Sequence, residues 1–282
     1  MAEQKLHVTL IAHTPEPEKV IAMASRTCYS PLDLAGLKDK AETANNAAYI
    51  RRVLASGHTS VIEHASFTFG IEGVSRTLLA QITRHRMASF SVQSQRYVSN
   101  AGQEVFDFVM PPRIRALGSE AEEKFLSQMK TMQGWYDEWS ELLGEGSAED
   151  ARFVLPGAAA TRMTMTMNAR ELLHFFSLRM CNRAQWEIRE LAWQMYALVY
   201  PLAPSVFENA GPGCAHGACP EGKRSCGKTP ESKKAPARNH RGSAKRSAAR
   251  IPAANGTTAF SIGMRSSLAS RNSGFIPANI AK

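Results

Sequence analysis

The composition of this chain breaks at Gly211–Gly213, and the break decides where a fold can form. Beyond it Gly, Ser, Ala, Pro, Lys and Arg dominate, and few apolar residues remain to bury. Burial there cannot offset the entropy of ordering the backbone, about 1–2 kcal/mol per residue, so 213–282 is expected to be a disordered, low-complexity basic tail. From Gly213 to Lys282 there are 13 Lys+Arg and 2 Asp+Glu, a net of +11. The whole chain has 34 and 25, so subtraction leaves 21 and 23, or −2, for residues 1–212. The basic character therefore belongs to the tail, and the body is near neutral. The tail's cations lie among Ser and Ala without aromatic partners. A solubilising extension is the plainer reading of it, and nucleic-acid contact the sharper one.

Residues 1–212 carry the patterns of one α+β domain. Leu6 to Ala12 reads as a strand, Pro15 to Arg26 as a short helix, and Asp39 to Ser56 as a longer helix closed by Gly57. Phe67 and Phe69 alternate as in a strand, and Ser75 can cap a helix with a Leu78/Leu79/Ile82 stripe. Residues 84–97 read as a loop and Phe106 to Met110 as a strand stopped by Pro111-Pro112. Ser119-x-x-Glu122 and Asn168-x-x-Glu171 have the spacing of capping boxes. Ala160 to Met167 alternates as a strand, and helices are expected to Met180 and over Ala184–Tyr200. Regular strand–helix alternation is missing, so a doubly wound sheet is disfavoured, as are the standard dinucleotide and P-loop folds. No stretch has the length or apolarity of a membrane span. Five cysteines form no disulfide-scaffold spacing, which points to a reducing cytoplasm.

The chemistry concentrates in Arg84-His85-Arg86 and the polar run that follows to Arg96 and Tyr97. No Asp or Glu occurs between Gly73 and Gln103. Guanidinium forks suit phosphate or carboxylate, and Ser94 can add a donor, so the stretch looks prepared for an anionic ligand. A second basic group comprises Arg152, Arg162, Arg170, Arg179, Arg183 and Arg189. Arg170 and His174 are four apart and share a helix face, whereas Arg179 lies about half a turn round. Cations facing two ways fit two neighbouring ligands.

Other clusters carry less. His58, Glu63 and His64 lack the His-Glu-x-x-His spacing of zincins, and hydrogen-bonded loop residues are the plainer reading. Cys214, Cys219 and Cys226 lack paired C-x-x-C knuckles, which weighs against zinc. Cys28 and Cys181, among apolar neighbours, read as buried small residues. Ser94 has no activating base fixed beside it, so it reads as a binder rather than a nucleophile.

Arg84-His85-Arg86-x7-Ser94 resembles the signature of the flavin-dependent (alternative) thymidylate synthases. His58-x-Ser60-x-x-Glu63-His64 is similar to that family's His-x-Thr-x-x-Glu-His segment. Gln81, Arg152-x-Val154-Leu155-Pro156, Asn168-Ala169-Arg170, Leu178-Arg179 and Ala184-Gln185-Trp186-Glu187 follow in the family's order, so the resemblance covers about residues 5–210. It implies an α+β fold of mixed helices and a central antiparallel or mixed sheet, assembled as a homotetramer with active sites where subunits meet. The implied reaction converts dUMP to dTMP, with methylenetetrahydrofolate giving the carbon and NADPH reducing bound FAD. Ser60, Arg84, His85, Arg86, Asn168, Ala169, Arg170 and His174 are then expected at FAD. Gln81, Arg84, Ser94, Gln95, Arg96, Arg152 and Arg179 are expected at dUMP, with Arg179 polarising the uracil. Two departures stand out: Ser91-Val92 replaces the family's common Asn-Glu, and His174 stands where Asn is frequent.

Overall fold

A computed structural model describes residues 2–228. Strand β1 (His7–His13) is followed by helices α1 (Pro17–Thr27), α2 (Leu34–Thr43) and α3 (Asn46–Ala55), then by a 3-10 turn at Ser60–His64. Next come β2 (Ser66–Ser75), α4 (Arg76–Ile82) and β3 (Ala88–Val92). Helices α5 (Pro112–Arg115), α6 (Ser119–Leu143) and α7 (Ala148–Ala151) lead to a 3-10 turn at Arg152–Val154 and to β4 (Ala160–Asn168). Helices α8 (Ala169–Arg179), α9 (Trp186–Val199) and α10 (Pro204–Phe207) complete the body. Two further 3-10 turns, Gly213–Ala215 and Gly222–Arg224, continue the described chain past Pro212. The rest of the tail expectation lies outside the described residues.

The sheet has strand order β1-β2-β4-β3, with every neighbouring pair antiparallel. Its inner face is set by period-two alternation. Phe67, Phe69 and Ile71 of β2 and Met163, Met165 and Met167 of β4 are buried, and α8 and α9 cover them with Leu172, Phe175, Phe176, Leu191 and Met195. Each such side chain contributes about 1.5–3 kcal/mol by leaving water. The other face carries Thr68, Thr164, Thr166, Ser89 and Ser91, with Thr68 and Thr166 hydroxyls 2.9 Å apart. Gly73 sits in the β2 irregularity at φ 66°, where a Cβ would meet the Lys5 carbonyl oxygen at 2.1 Å. Only glycine fits that approach.

Several expectations change. The helix read over 39–56 is two helices, because Ala44 is extended and Asn45 accepts from Ala48 N. Asn46 also donates to Ala41 O, so two adjacent asparagines replace helical hydrogen bonds with local ones. The stretch read as a loop contains β3. Its Ala88, Phe90 and Val92 pack against the core, with serines alternating outward. Phe106–Met110 is no strand: Phe106, Phe108, Val109 and Met110 are all buried, and only Phe108 bridges, to Glu3 and Ala159. Gly118, at φ 99°, rather than Ser119, occupies the N-cap of α6, and Glu122 pairs with Arg115 instead of closing a capping box. Cys28 is exposed at the end of α1, not buried.

Candidate functional site

The site is assembled around His85, which follows α4 and is 4% exposed. Asn168 caps α8 by accepting from Glu171 N, as its spacing predicts. The Glu171 carboxylate, however, does not fold back to close a capping box. It reaches His85 Nδ1 at 2.9 Å, and on the other side of the ring Arg179 Nε donates to His85 Nε2 at 3.1 Å. A guanidinium only donates, so Nε2 carries no proton and Nδ1–H donates to Glu171. The imidazole is neutral. Burial pushes its pKa below the ordinary value; the Glu171 hydrogen bond opposes this, and the Arg179 charge adds to it. Phe175 closes the ring edge at 5.0 Å and His174 at 5.8 Å.

This relay fixes Arg179. Its Nη2 donates to Gln81 O at 3.4 Å, and Nη1 has no hydrogen-bond partner among the described residues. Burial, followed by the charge of nearby Arg84, lowers the Arg179 pKa. No carboxylate pairs with Arg179, Arg84 or Arg86 among the described residues, and Arg84 and Arg86 are exposed. Two neighbouring guanidiniums with no acid paired to either among the described residues fit an arriving anion. His85, Glu171 and His174 bring ligand atoms within 4.8 Å of one another. As arranged they cannot take a metal through His85, because Nε2 accepts from Arg179 and Nδ1 is protonated.

A second group gathers at the opposite end of α4, about 10 Å away along seven residues of helix. Arg96 makes a two-pronged pair with Glu149, with Nε–Oε1 and Nη2–Oε2 both at 3.0 Å. Arg152 Nε donates to the Glu149 carbonyl at 2.8 Å. Arg76 joins them, a residue the sequence reading did not single out. Its Nη2 donates to Gln93 O at 2.8 Å, its buried Nε has no partner, and burial and then Arg152 lower its pKa. A buried unpaired guanidinium N–H beside other arginines is the signal that could have flagged it. The signal is spatial and does not show in the sequence.

The remaining candidates divide. Ser94 is half-buried, and its Oγ accepts from Arg96 N at 3.2 Å, shaping the loop that presents Arg96; Gln95 is half-buried beside it. Arg170 is exposed and pairs with Glu63, and Ser60 opens the neighbouring 3-10 turn. Ala169 is fully buried and donates its N–H to Ala65 O at 2.8 Å, so neither its methyl nor its amide is offered outward. Of the two departures, Val92 packs against the core, whereas His174 is exposed beside the relay. Gln185 and Glu187 are structural. Gln185 caps α9, and the buried Glu187 accepts from Ser75 N and Oγ, both at 2.6 Å, pinning the start of α4. His58, Glu63 and His64 do not gather ligand atoms.

Comparisons with known proteins identify the family. The model of the family described as thymidylate synthase complementing protein matches residues 9–205. The flavin-dependent thymidylate synthase of Geobacter sulfurreducens is 48% identical over 230 residues, covering 81% of this chain and 97% of that protein. The Clostridium tetani enzyme of the same name is 44% identical, covering 80% and 95%. Among solved structures, the UMP/dUMP methylase PolB of Streptomyces cacaoi, bound with 5-Br dUMP, matches with TM-score 0.60 at 24% identity, covering 75% and 98%. Thymidylate Synthase X of Helicobacter pylori, with FAD and dUMP, matches with TM-score 0.54 at 24% identity, covering 73% and 99%. These two share the fold, and the closer sequences fix the kinship: the chain belongs to the flavin-dependent thymidylate synthase family.

Proposed function

We propose that this enzyme methylates dUMP to dTMP, taking the carbon from methylenetetrahydrofolate and reducing equivalents from NADPH through bound FAD. The observation that carries the reading is Arg179, held by His85 Nε2 and Gln81 O, with Nη1 unengaged among the described residues and Arg84 nearby. The relatives' name and the FAD and dUMP of the Helicobacter pylori structure support it.

The donor set fits both ligands. The dinucleotide cofactor bears a pyrophosphate, and Arg84 and Arg86 are exposed cations without carboxylate partners among the described residues. With His174, Arg170, Asn168 and Ser60 along the neighbouring face, they would hold it. When bound, FAD supplies the redox chemistry that accepts reducing equivalents and passes them on. The protein's residues orient and stabilise. Arg179 presents Nη1 to a uracil carbonyl and stabilises negative charge that develops on the ring. Neutral His85 holds the guanidinium by Nε, and Glu171 holds the tautomer. Arg96, Arg152 and Arg76 supply permanent cations for the phosphate, with Ser94 and Gln95 shaping that wall. The span of α4 separates base-end and phosphate-end arginines by about the length of a mononucleotide.

A homotetramer with active sites between subunits accompanies this reading. Phe153 and Tyr97, each 81% exposed, and Met87, 68% exposed, flank the arginines and would be covered by a neighbour. A site in a cytoplasmic enzyme suits both the reductant and the folate. The deciding assay follows dTMP formation and NADPH oxidation with dUMP and methylenetetrahydrofolate, with UMP as control. Dependence of turnover on added FAD supports the reading. Purified protein that cannot be loaded with FAD would sink it, and light scattering of a monomer would remove the tetramer.

A further inference from the structure

Four cysteines share a neighbourhood the reaction does not use. Cys181 lies in the turn after α8, two residues beyond Arg179, and Cys214, Cys219 and Cys226 come from the segment 213–228. Asn182 Nδ2 donates to Lys228 O at 3.4 Å, and Arg183 donates to Arg224 O and lies 3.6 Å from the Glu221 carboxylate. Cys226 Sγ donates to the same Lys228 carbonyl at 3.3 Å. Cys214 is half-buried, with the thiols of Cys219, Cys181 and Cys226 in its neighbourhood. All four are free thiols in one neighbourhood, whereas the fifth, Cys28, is exposed at the end of α1.

The segment needs a staple. None of residues 213–228 is buried, and only Cys214, Ala215 and Cys219 are even half-buried, yet the chain forms two defined turns there. A short segment without a core holds its shape through cross-links or a metal. We propose that Cys181, Cys214, Cys219 and Cys226 form a structural tetrathiolate site for Zn2+ that clips the segment 213–228 to the turn behind Arg179. The C-x4-C step from Cys214 to Cys219 falls within the spacing of structural zinc sites, so the missing C-x-x-C knuckle does not exclude zinc. The C-x2-C-x2-C runs typical of iron–sulfur proteins are missing.

No three of the four sulfurs lie within 4.8 Å of one another. A tetrahedral Zn2+ about 2.3 Å from each would draw them to about 3.8 Å, with Cys226 leaving the Lys228 carbonyl. On binding, the four thiols release four protons to solvent and four Zn–S bonds form, giving the centre a net charge of −2 with no change of oxidation state. Arg183, Lys223, Arg224 and Lys228 offset that charge from the same turns.

The test uses the full chain without an affinity tag, purified reduced under anaerobic conditions and loaded with Zn2+, then dialysed. Elemental analysis is expected to give about one zinc per chain. Loss of that zinc in Cys219→Ser and its retention in Cys28→Ser would support the site, as would thiolate-to-metal charge-transfer absorption with Co2+ in its place. Alkylation mapped by mass spectrometry should modify Cys28 at once and the other four only after chelation, a readout that needs no variant to fold. Retention of zinc by Cys219→Ser, iron in place of zinc, a disulfide among the four, or equal alkylation of all five would overturn the proposal. None of these readouts depends on dTMP formation.

Discussion

The two arginine groups at the ends of α4 solve opposite problems. Arg179 is half-buried and locked: an imidazole holds its Nε, a backbone carbonyl takes its Nη2, and a buried carboxylate fixes the imidazole. Arg96 is exposed and parked on Glu149, with both partners about half open to solvent. A locked cation costs no reorganisation when charge develops beside it, which is what a transition state rewards. A parked cation must exchange one anion for another, which is what reversible capture of a phosphate requires. Exposed ion pairs contribute only about 0–1 kcal/mol, so Glu149 is a partner a phosphate can displace.

Removing the locked guanidinium should give the largest effect. Arg179→Ala is expected to lower kcat for dTMP formation by about 10²- to 10³-fold, the range for deleting a preorganised charge donor, while FAD absorbance of the purified protein stays unchanged. Undiminished turnover would remove Arg179 from the mechanism and with it the contrast between the two groups.

The relay behind it comes next. Glu171→Ala is expected to cost about 10- to 100-fold in kcat with a smaller change in KM, because a guanidinium misplaced by about 1 Å loses rate on that scale. Glu171→Gln keeps an acceptor for His85 Nδ1–H and should retain most of the rate. It also removes the carboxylate that raises the His85 pKa, so the acid limb of the pH–rate profile should move lower. A rate loss with lowered Tm and an unmoved acid limb would make Glu171 merely structural.

His85 also links the site to stability. In the unfolded chain the imidazole takes its proton near pH 6.5; in the fold, burial defers protonation to lower pH. Between those two values the unfolded state binds more protons, so stability is full above about pH 6.5 and falls as pH drops through the folded pKa. Tm measured from pH 7.5 to 5 should therefore decline more steeply for the wild type than for His85→Gln. Parallel curves would mean that His85 titrates normally.

How much of this was legible in the sequence depends on where each partner lies along the chain. Helix caps made within four residues were readable, as at Ser75 and Asn168. The Glu171 carboxylate was assigned to a local capping box because its actual partner is 86 residues away. Strand β3 was read as a loop because Ser89 and Ser91 suggested ligand donors, although Ala88, Phe90 and Val92 have the period of a half-buried strand. The acid-free stretch from Gly73 to Gln103 is acid-free only along the sequence: folding brings Glu149 onto Arg96 and, among the described residues, leaves Arg84 and Arg86 without a carboxylate. Arg76 escaped notice because its unpaired buried Nε is a property of packing. Cys214, Cys219 and Cys226 were weighed against zinc on spacing alone, and Cys181, distant in sequence, joins them only through the turn that follows α8.

The smallest effect tests the parked group directly. Glu149→Gln removes the charge that Arg96 must abandon but keeps a side chain of the same shape. If the ion pair competes with substrate phosphate, the KM for dUMP should fall by up to about five-fold, the equivalent of roughly 1 kcal/mol, with kcat unchanged. The gain should shrink as ionic strength rises, because salt screens the exposed pair in the wild type. If Glu149 instead aims the guanidinium at the phosphate, KM should rise, and Arg96 would then belong with the locked arginine rather than opposite it. The same substitution leaves Arg152 undisturbed, because that side chain is bound to the Glu149 backbone carbonyl and not to its carboxylate. A change in KM of either sign therefore reports on Arg96 alone.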